Sequence, residues 1–282
     1  MEPVVRELVD ERRRRWEGDG PRPVRMYLWS AHEAREPAHV VLLSHGSGGS
    51  AWQMTWAAEP LARAGYLVAA VDHHGNNTVD GYLPEGFAFW WERPLDLSFV
   101  LDRVSAEREI ASVGALGFSL GGYTAAALAG ARIDSDLYAR LLDGSFDFPP
   151  PPEFPDLEEA LRARLEANDH GSDLAAAGAS YRDARVGAVV AICPALAELV
   201  DPESLRRIDL PVAVRWAGAD ENCPDAKRYA ELIPGADGRC VGNGVGHYAF
   251  LHSTEGAEPI RAAVAAEAVD FFRGQQVVTG PP

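Results

Sequence analysis

Short apolar runs alternate with segments of helical spacing along most of the chain. The runs have the length of buried strands. They lie at Val24–Trp29, Ala38–Leu43, Tyr66–Val71, Val113–Phe118, Val186–Ile192, Pro211–Trp216 and Arg239–Val241. Between them, apolar residues recur every three or four positions, for example from Leu95 to Glu107, which predicts helices. Strands that alternate with helices predict an α/β fold with a mostly parallel sheet and helices on both faces. In such sheets functional residues gather at the carboxyl ends of the strands.

Four segments depart from this alternation. Residues 4–17 contain four consecutive arginines, and we predict a charged, solvated helix there. Residues 75–93 are irregular and rich in aromatic side chains. Residues 132–185 contain a run of prolines, and we predict that they form an insertion or cap within a single domain spanning 1–282. Residues 274–282 are expected to form a frayed tail.

Composition and charge narrow the class of protein. Of the 282 residues, 47% are hydrophobic and 24% are charged, which is typical of a globular protein with a sizeable core. The formal net charge is −16, so we expect binding neither to nucleic acid nor to an anionic membrane surface. Three scattered cysteines form neither a disulfide framework nor a metal-binding spacing. With no signal-peptide pattern and no long apolar run, these features predict a cytoplasmic protein.

The strongest chemical signal is Gly-Phe-Ser-Leu-Gly at residues 117–121, which follows a predicted strand and precedes a predicted helix. In that context the motif is a sharp turn that exposes the hydroxyl of Ser119 near a helix N-terminus. Glycines at 117 and 121 leave the room that such a turn needs. We therefore predict that Ser119 is a nucleophile, and the competing interpretation is a tight turn with no chemical role.

This motif, the order of elements and the His-Gly-Ser-Gly-Gly loop at residues 45–49 resemble the α/β-hydrolase superfamily. Within it, the chain is similar to the dienelactone-hydrolase-like and platelet-activating-factor-acetylhydrolase-like serine esterases. The resemblance covers roughly residues 22–272. It implies an α/β-hydrolase fold with a small cap after the nucleophile helix and a catalytic triad in the order serine, acid, histidine. Dienelactone hydrolases themselves use a cysteine nucleophile, whereas position 119 here is serine.

The catalytic base must follow Ser119 if this order holds. Three histidines do so: His170, His247 and His252. His247 ends a glycine-rich loop directly after the last predicted strand, which is where the family places its base, so we favour it. His170 lies in the irregular insertion, and His252 remains the weaker alternative.

The catalytic acid should follow a late strand. Asp220 lies just after the strand that ends at residue 216, and we favour it over its neighbour Glu221. Asp72 also lies at a strand end, but it precedes the nucleophile, so a structural or pocket role is expected. Arg93 and Asp96, three residues apart at a predicted helix start, are expected to form a structural ion pair.

An oxyanion hole in this family uses two backbone N–H groups. We predict that they belong to Leu120, directly after the nucleophile, and to Ser47 in the loop at residues 45–49. The competing interpretation of that loop is a flexible glycine turn. It lacks the lysine of a phosphate-binding P-loop, so we do not expect nucleotide binding.

Aromatic residues of the 75–93 segment are candidates for the substrate pocket or a lid. We predict substrate contacts for Phe87, Trp90 and Trp91, and for His74 at the rim. Adjacent residues of an extended segment point to opposite sides, so we do not expect His74 and the histidine before it to bind one metal ion.

These inferences predict a serine esterase that cleaves a small-molecule carboxylic ester through an acyl-serine intermediate and needs no cofactor. A thioesterase or acyltransferase using the same triad is the nearest alternative. A non-catalytic binding protein is disfavoured, because a serine, an acid and a histidine are all present in the required order.

Overall fold

The computed structural model describes residues 1–31, 37–167, 170–251 and 254–276. Its strands, in chain order, are β1 (Val4–Arg14), β2 (Pro21–Trp29), β3 (Ala38–Ser44), β4 (Leu67–Asp72), β5 (Asn76–Asn77), β6 (Gly81–Tyr82), β7 (Ile110–Phe118), β8 (Val186–Ile192), β9 (Val212–Trp216) and β10 (Asp237–Cys240). Eight of them form one sheet in the order β1-β2-β4-β3-β7-β8-β9-β10, while β5 and β6 form a small hairpin. Within the eight-stranded sheet, the six strands β4, β3, β7, β8, β9 and β10 are each parallel to their neighbours. Strand β2 is antiparallel to both β1 and β4.

Helices connect the parallel strands. They are α1 (Thr55–Arg63), α2 (Pro84–Ala88), α3 (Glu92–Glu107), α4 (Leu120–Ala129), α5 (Ser135–Leu142), α6 (Leu157–Ala167), α7 (Gly171–Ala175), α8 (Pro202–Arg206), α9 (Cys223–Leu232) and α10 (Glu258–Gln276). None of these helices is both long and apolar enough to cross a bilayer. Helix α10 extends to Gln276, so the prediction of a frayed tail is wrong for residues 274–276, and the rest of the predicted tail lies outside the described residues.

The sheet is buried on both faces, which is why its strands are continuously apolar rather than alternating. Side chains of successive residues point to opposite faces. Accordingly, Val40 and Leu42 join the core under α3, α4 and α9, whereas Val41 and Leu43 join the core under α1 and α10. This packing fixes the carboxyl ends of β3, β7, β8 and β9 along one edge of the sheet.

The predicted N-terminal helix is wrong, because the segment forms the edge strand β1 and pairs with β2. Its arginines do not simply face solvent. Arg6 donates to Glu107, and Arg13 pairs with Asp10, which is buried in the same strand, and with Asp96 of α3. The local pattern resembles a charged helix, but the backbone partners and the acidic partners come from elsewhere in the chain.

The two irregular segments contain more regular structure than their composition predicts. Residues 75–93 include the β5–β6 hairpin and the short helix α2. The predicted insertion at 132–185 contains α5, α6 and α7, and α6 packs against α2. A role of this segment as a cap remains a prediction.

Candidate active site

Ser119 lies in a strained turn between β7 and α4. Its φ of 55° and ψ of −120° are unusual for a residue with a side chain. Its N–H donates to the carbonyl of Ile192 at 2.8 Å. A Cβ atom at Gly117 would lie 1.8 Å from the carbonyl oxygen of Gly121, and one at Gly121 would lie 2.1 Å from that of Ser44. The two glycines of the motif are therefore required by backbone contacts, and the turn leaves Ser119 half-buried.

The structure brings Ser119, His247 and Asp220 together. His247 Nε2 lies 3.0 Å from Ser119 Oγ, and His247 Nδ1 lies 2.7 Å from Asp220 Oδ2. With Nδ1–H donating to the carboxylate, Nε2 is free to accept the serine proton. The carboxyl ends of β7, β9 and β10 supply the three residues, so the topology alone places them at one edge.

The Asp220 carboxylate is buried and ionised. Burial alone would raise the pKa of Asp220, but the hydrogen bond and charge of His247 and a 2.8 Å hydrogen bond from Asn222 N–H outweigh it, so the pKa is lowered. The adjacent Glu221 is exposed. The geometry thus joins Asp220, rather than Glu221, to His247. His252, the weaker candidate base, lies outside the described residues.

A buried thiol adjoins the acid and the base. One potential ligand atom each of Cys193, Asp220 and His247 lies within 4.8 Å of the others. Burial raises the pKa of the Cys193 thiol well above its ordinary value, so the group is neutral. A metal ion held there would have to replace the 2.7 Å contact between His247 and Asp220. This arrangement fits a hydrogen-bonded acid and base better than a ready-made metal site.

The two N–H groups predicted to form an oxyanion hole belong to the residue after Ser119 and to the loop after β3, which adjoins Ser119: a Cβ atom at Gly46 would lie 3.3 Å from the Cβ of Ser119. Leu120 is the first residue of α4, so its N–H has no acceptor within that helix. Ser47 is half-buried in the loop after β3, and no described residue accepts a hydrogen bond from its N–H. Next to it, Gly48 has a φ of +59° and donates its N–H to Asn76 Oδ1 at 2.7 Å. The loop is therefore held in place by side-chain contacts, unlike a flexible glycine turn.

Sequence reasoning did not find the buried polar network behind this loop. Ser44 Oγ lies 2.9 Å from His73 Nε2, and His73 Nδ1 lies 2.8 Å from Asp96 Oδ2. His45 donates from Nδ1 to the carbonyl of Gly46 at 2.7 Å and accepts at Nε2 from the N–H of His73. The only local signal was the position of His73 just after a strand, because its partners come from β3 and α3.

The aromatic residues predicted to form a lid are instead part of the core. Phe87 and Trp91 are almost completely buried, and Trp90 is only 6% exposed. Trp91 stacks on Phe89 at 5.3 Å, and both tryptophans pack edge-on against Tyr138 of α5. The lid interpretation is therefore wrong for this run: the chain turns between α2 and α3, and that turn directs these rings inward.

His74, predicted to contact the substrate at the rim of the pocket, packs beside the N-terminal strands instead. Its ring stacks on Trp16 at 5.2 Å, and it lines a cleft of about 250 Å³ beside β1 and β2, together with Arg15 and Arg25. The predicted substrate contact of His74 therefore has no support in this geometry. Asp72 accepts from Ala51 N–H and from the Tyr27 hydroxyl, as expected for a structural role.

Comparisons with known proteins agree with this architecture. The family model described as serine aminopeptidase, S33, matches residues 35–146. No curated protein matches the chain. A ferulic acid esterase from Streptomyces cinnamoneus superposes with a TM-score of 0.64 at 19% identity, over 100% of this chain and 91% of that one. Est1E from Butyrivibrio proteoclasticus has a TM-score of 0.55 at 12% identity, over 99% of this chain and 100% of that one.

A dienelactone hydrolase from Anabaena variabilis gives a TM-score of 0.54 at 18% identity, over 98% of this chain and 99% of that one. At such identities the likeness is one of fold. The protein has the α/β-hydrolase fold, as the motif and the order of elements predict.

Proposed function

We propose that this protein is a serine hydrolase that cleaves carboxylic esters of small molecules. The observation that carries the proposal is the chain of two hydrogen-bond distances, 3.0 Å from Ser119 Oγ to His247 Nε2 and 2.7 Å from His247 Nδ1 to Asp220 Oδ2. A nucleophile, a base in contact with it and an acid that orients the base are the groups that acyl transfer requires.

In the proposed reaction, His247 takes the proton of Ser119 as Oγ attacks the ester carbonyl carbon. The negative charge that develops on the carbonyl oxygen is stabilised by the N–H groups of Ser47 and Leu120. His247 then gives the proton to the leaving alcohol, and the acyl group remains on Ser119. Water deprotonated by His247 attacks this acyl-serine, which releases the acid and restores the serine. Asp220 stabilises the imidazolium in both halves of the reaction.

Structural neighbours support an ester over other acyl donors. Several of them are esterases by name, two of them connected with ferulic acid. The same triad can transfer acyl groups from thioesters or to other alcohols, and the matching family model is named after an aminopeptidase. A substrate panel therefore needs p-nitrophenyl esters of increasing chain length, methyl ferulate, an acyl thioester and an aminoacyl p-nitroanilide.

The test combines this panel with a fluorophosphonate that labels reactive serines. The wild-type protein is expected to be labelled and to hydrolyse esters with the highest kcat/KM in the panel. Faster turnover of the thioester or the anilide would replace the ester assignment. Absence of labelling together with absence of turnover of every class would overturn the proposed hydrolase function.

A further inference from the structure

Arg93 is a buried guanidinium that faces the loop after β3. It is 2% exposed and lies at the start of α3. Its Nε–H donates to Thr124 Oγ1 at 3.1 Å, and Nη1 donates to Asn76 Oδ1 at 3.2 Å. Nη2 donates to the carbonyl of His45 and lies 3.4 Å from Ser44 Oγ. One side chain thus contacts the loop, the nucleophile helix and the β5–β6 hairpin.

These contacts lead towards both predicted oxyanion donors, through Thr124 to Leu120 and through Asn76 and Gly48 to Ser47. The hydroxyl of Thr124 donates to the carbonyl of Leu120 at 3.0 Å, so the first contact reaches the residue after the nucleophile. Asn76 Oδ1 accepts the N–H of Gly48 at 2.7 Å, so the second contact reaches the residue next to Ser47. The guanidinium is therefore hydrogen-bonded to a side chain that contacts each of the two segments carrying the predicted donors.

The predicted ion pair between Arg93 and Asp96 does not form. Asp96 pairs with Arg13 at 2.7 Å and accepts from His73. Within the described part of the chain, Arg93 makes no ion pair with a carboxylate. Burial lowers the pKa of Arg93 to about 9, so the guanidinium is charged at neutral pH. A buried cation without a paired anion is expensive to keep. Here the hydrogen bonds that its side chain makes with described residues go to the end of β3 and the loop after it, to α4 and to the β5–β6 hairpin.

We propose that Arg93 is a positioning residue that sets the distance between the backbone N–H groups of Ser47 and Leu120, and so the fit of the oxyanion hole to the transition state. Its side-chain hydrogen bonds go to Thr124, Asn76, Ser44 and His45 rather than to Ser119, so it would act through these residues. The inference rests on the proposed esterase function, since it concerns how well that site stabilises an oxyanion.

The test uses Arg93→Lys, which keeps the charge but loses the planar fork, and Arg93→Met, which keeps the length but loses charge and donors. Loss of one oxyanion donor costs about 10²–10³ in kcat. We expect kcat per labelled active site to fall about 100-fold in Arg93→Met and about 10-fold in Arg93→Lys, with KM changed by less than about 3-fold. The inhibition constant of an alkyl trifluoromethyl ketone, which forms a tetrahedral adduct, should rise in parallel with the fall in kcat.

Arg22 supplies a matched control, because it is equally buried but contacts Glu92, the carbonyl of Arg14 and the ring of Trp16 rather than the loop. Arg22→Met should lower the melting temperature and leave kcat per labelled site unchanged. The inference is overturned if folded Arg93→Met retains wild-type kcat and wild-type affinity for the ketone. If Arg93→Met does not fold, Arg93→Lys with wild-type values overturns it. A wild-type protein that neither labels nor turns over esters refutes the proposed function instead.

Discussion

The hydroxyl of Ser44 lies 2.9 Å from Nε2 of His73, in a second serine–histidine–aspartate array completed by Asp96. The distances match those of the array at Ser119, yet the surroundings differ. Ser44 is fully buried at the end of β3, whereas Ser119 is half-buried on a turn with a positive φ. Exposure and the neighbouring N–H groups, rather than the hydrogen bonds alone, distinguish a reactive serine from a structural one.

This contrast predicts how a fluorophosphonate distributes between the two serines. Ser119→Ala should lose all labelling, although Ser44 and its histidine are intact, because no reagent reaches Ser44. Peptide mass spectrometry of the labelled wild-type protein checks the assignment. A phosphonylated peptide containing Ser44 would contradict the distinction.

Replacing Asp220 should reduce kcat strongly, whereas replacing the adjacent carboxylate Glu221 should not. Asp220→Asn keeps the shape of the side chain but favours the wrong imidazole tautomer, and we expect kcat to fall by about 10⁴-fold. Glu221→Gln is the matched control, since Glu221 is exposed, and its kcat should stay within about 2-fold of wild type. Steady-state kinetics on one ester decide the matter, and a larger loss in Glu221→Gln would refute the assignment of Asp220.

The buried aromatic residues should act on stability rather than on substrate choice. Trp91→Ala removes a ring that stacks on Phe89 and packs against Tyr138, so we expect the free energy of unfolding to fall by about 3–5 kcal/mol. The ester chain-length preference should be unchanged. Trp52→Ala is the control, because Trp52 is 46% exposed and its loss should be small. Altered chain-length preference with little loss of stability would restore the lid interpretation.

Three buried neutral histidines should make the protein less stable in mildly acidic solution. Burial lowers the pKa of His73 and of His74 to about 4, and that of His45 also falls well below its ordinary value. In the unfolded chain these groups titrate near pH 6.5. Between about pH 6.5 and 4 the unfolded chain therefore binds more protons, so the free energy of unfolding should fall as the pH is lowered through this window. Urea unfolding at pH 7, 6 and 5 measures it, and equal stability at all three would contradict the prediction.

The local sequence predicts most of the sheet and the nucleophile turn. Strand β8 has the predicted bounds, and Ser119 lies between a strand and a helix as its flanking glycines require. These predictions are correct because an apolar run and the glycines that a tight turn needs are visible in neighbouring residues of the sequence. The predicted placement of His247 and Asp220 relied on strand ends, which the parallel topology brings to one edge.

The failures have a common physical cause. The charged pattern of residues 4–17 predicts a solvated helix when only neighbouring residues are considered. In the structure, arginines of this segment pair with acidic residues of α3, and its backbone pairs with β2. Arg93 likewise has its hydrogen-bond acceptors in three separate parts of the chain. Partners that come together only in the tertiary structure leave no pattern in a short stretch of sequence.

The central claim is that Ser119 carries an acyl intermediate, and trapping this intermediate tests the claim most directly. Wild-type protein is mixed with a p-nitrophenyl ester, quenched in acid within the first turnover and digested for mass spectrometry. We expect the acyl mass on the peptide that contains Ser119, a matching burst of p-nitrophenol, and neither in Ser119→Ala, whose residual rate should be lower by several orders of magnitude. Turnover at the wild-type rate in Ser119→Ala, or an acyl group on another residue, would contradict the account.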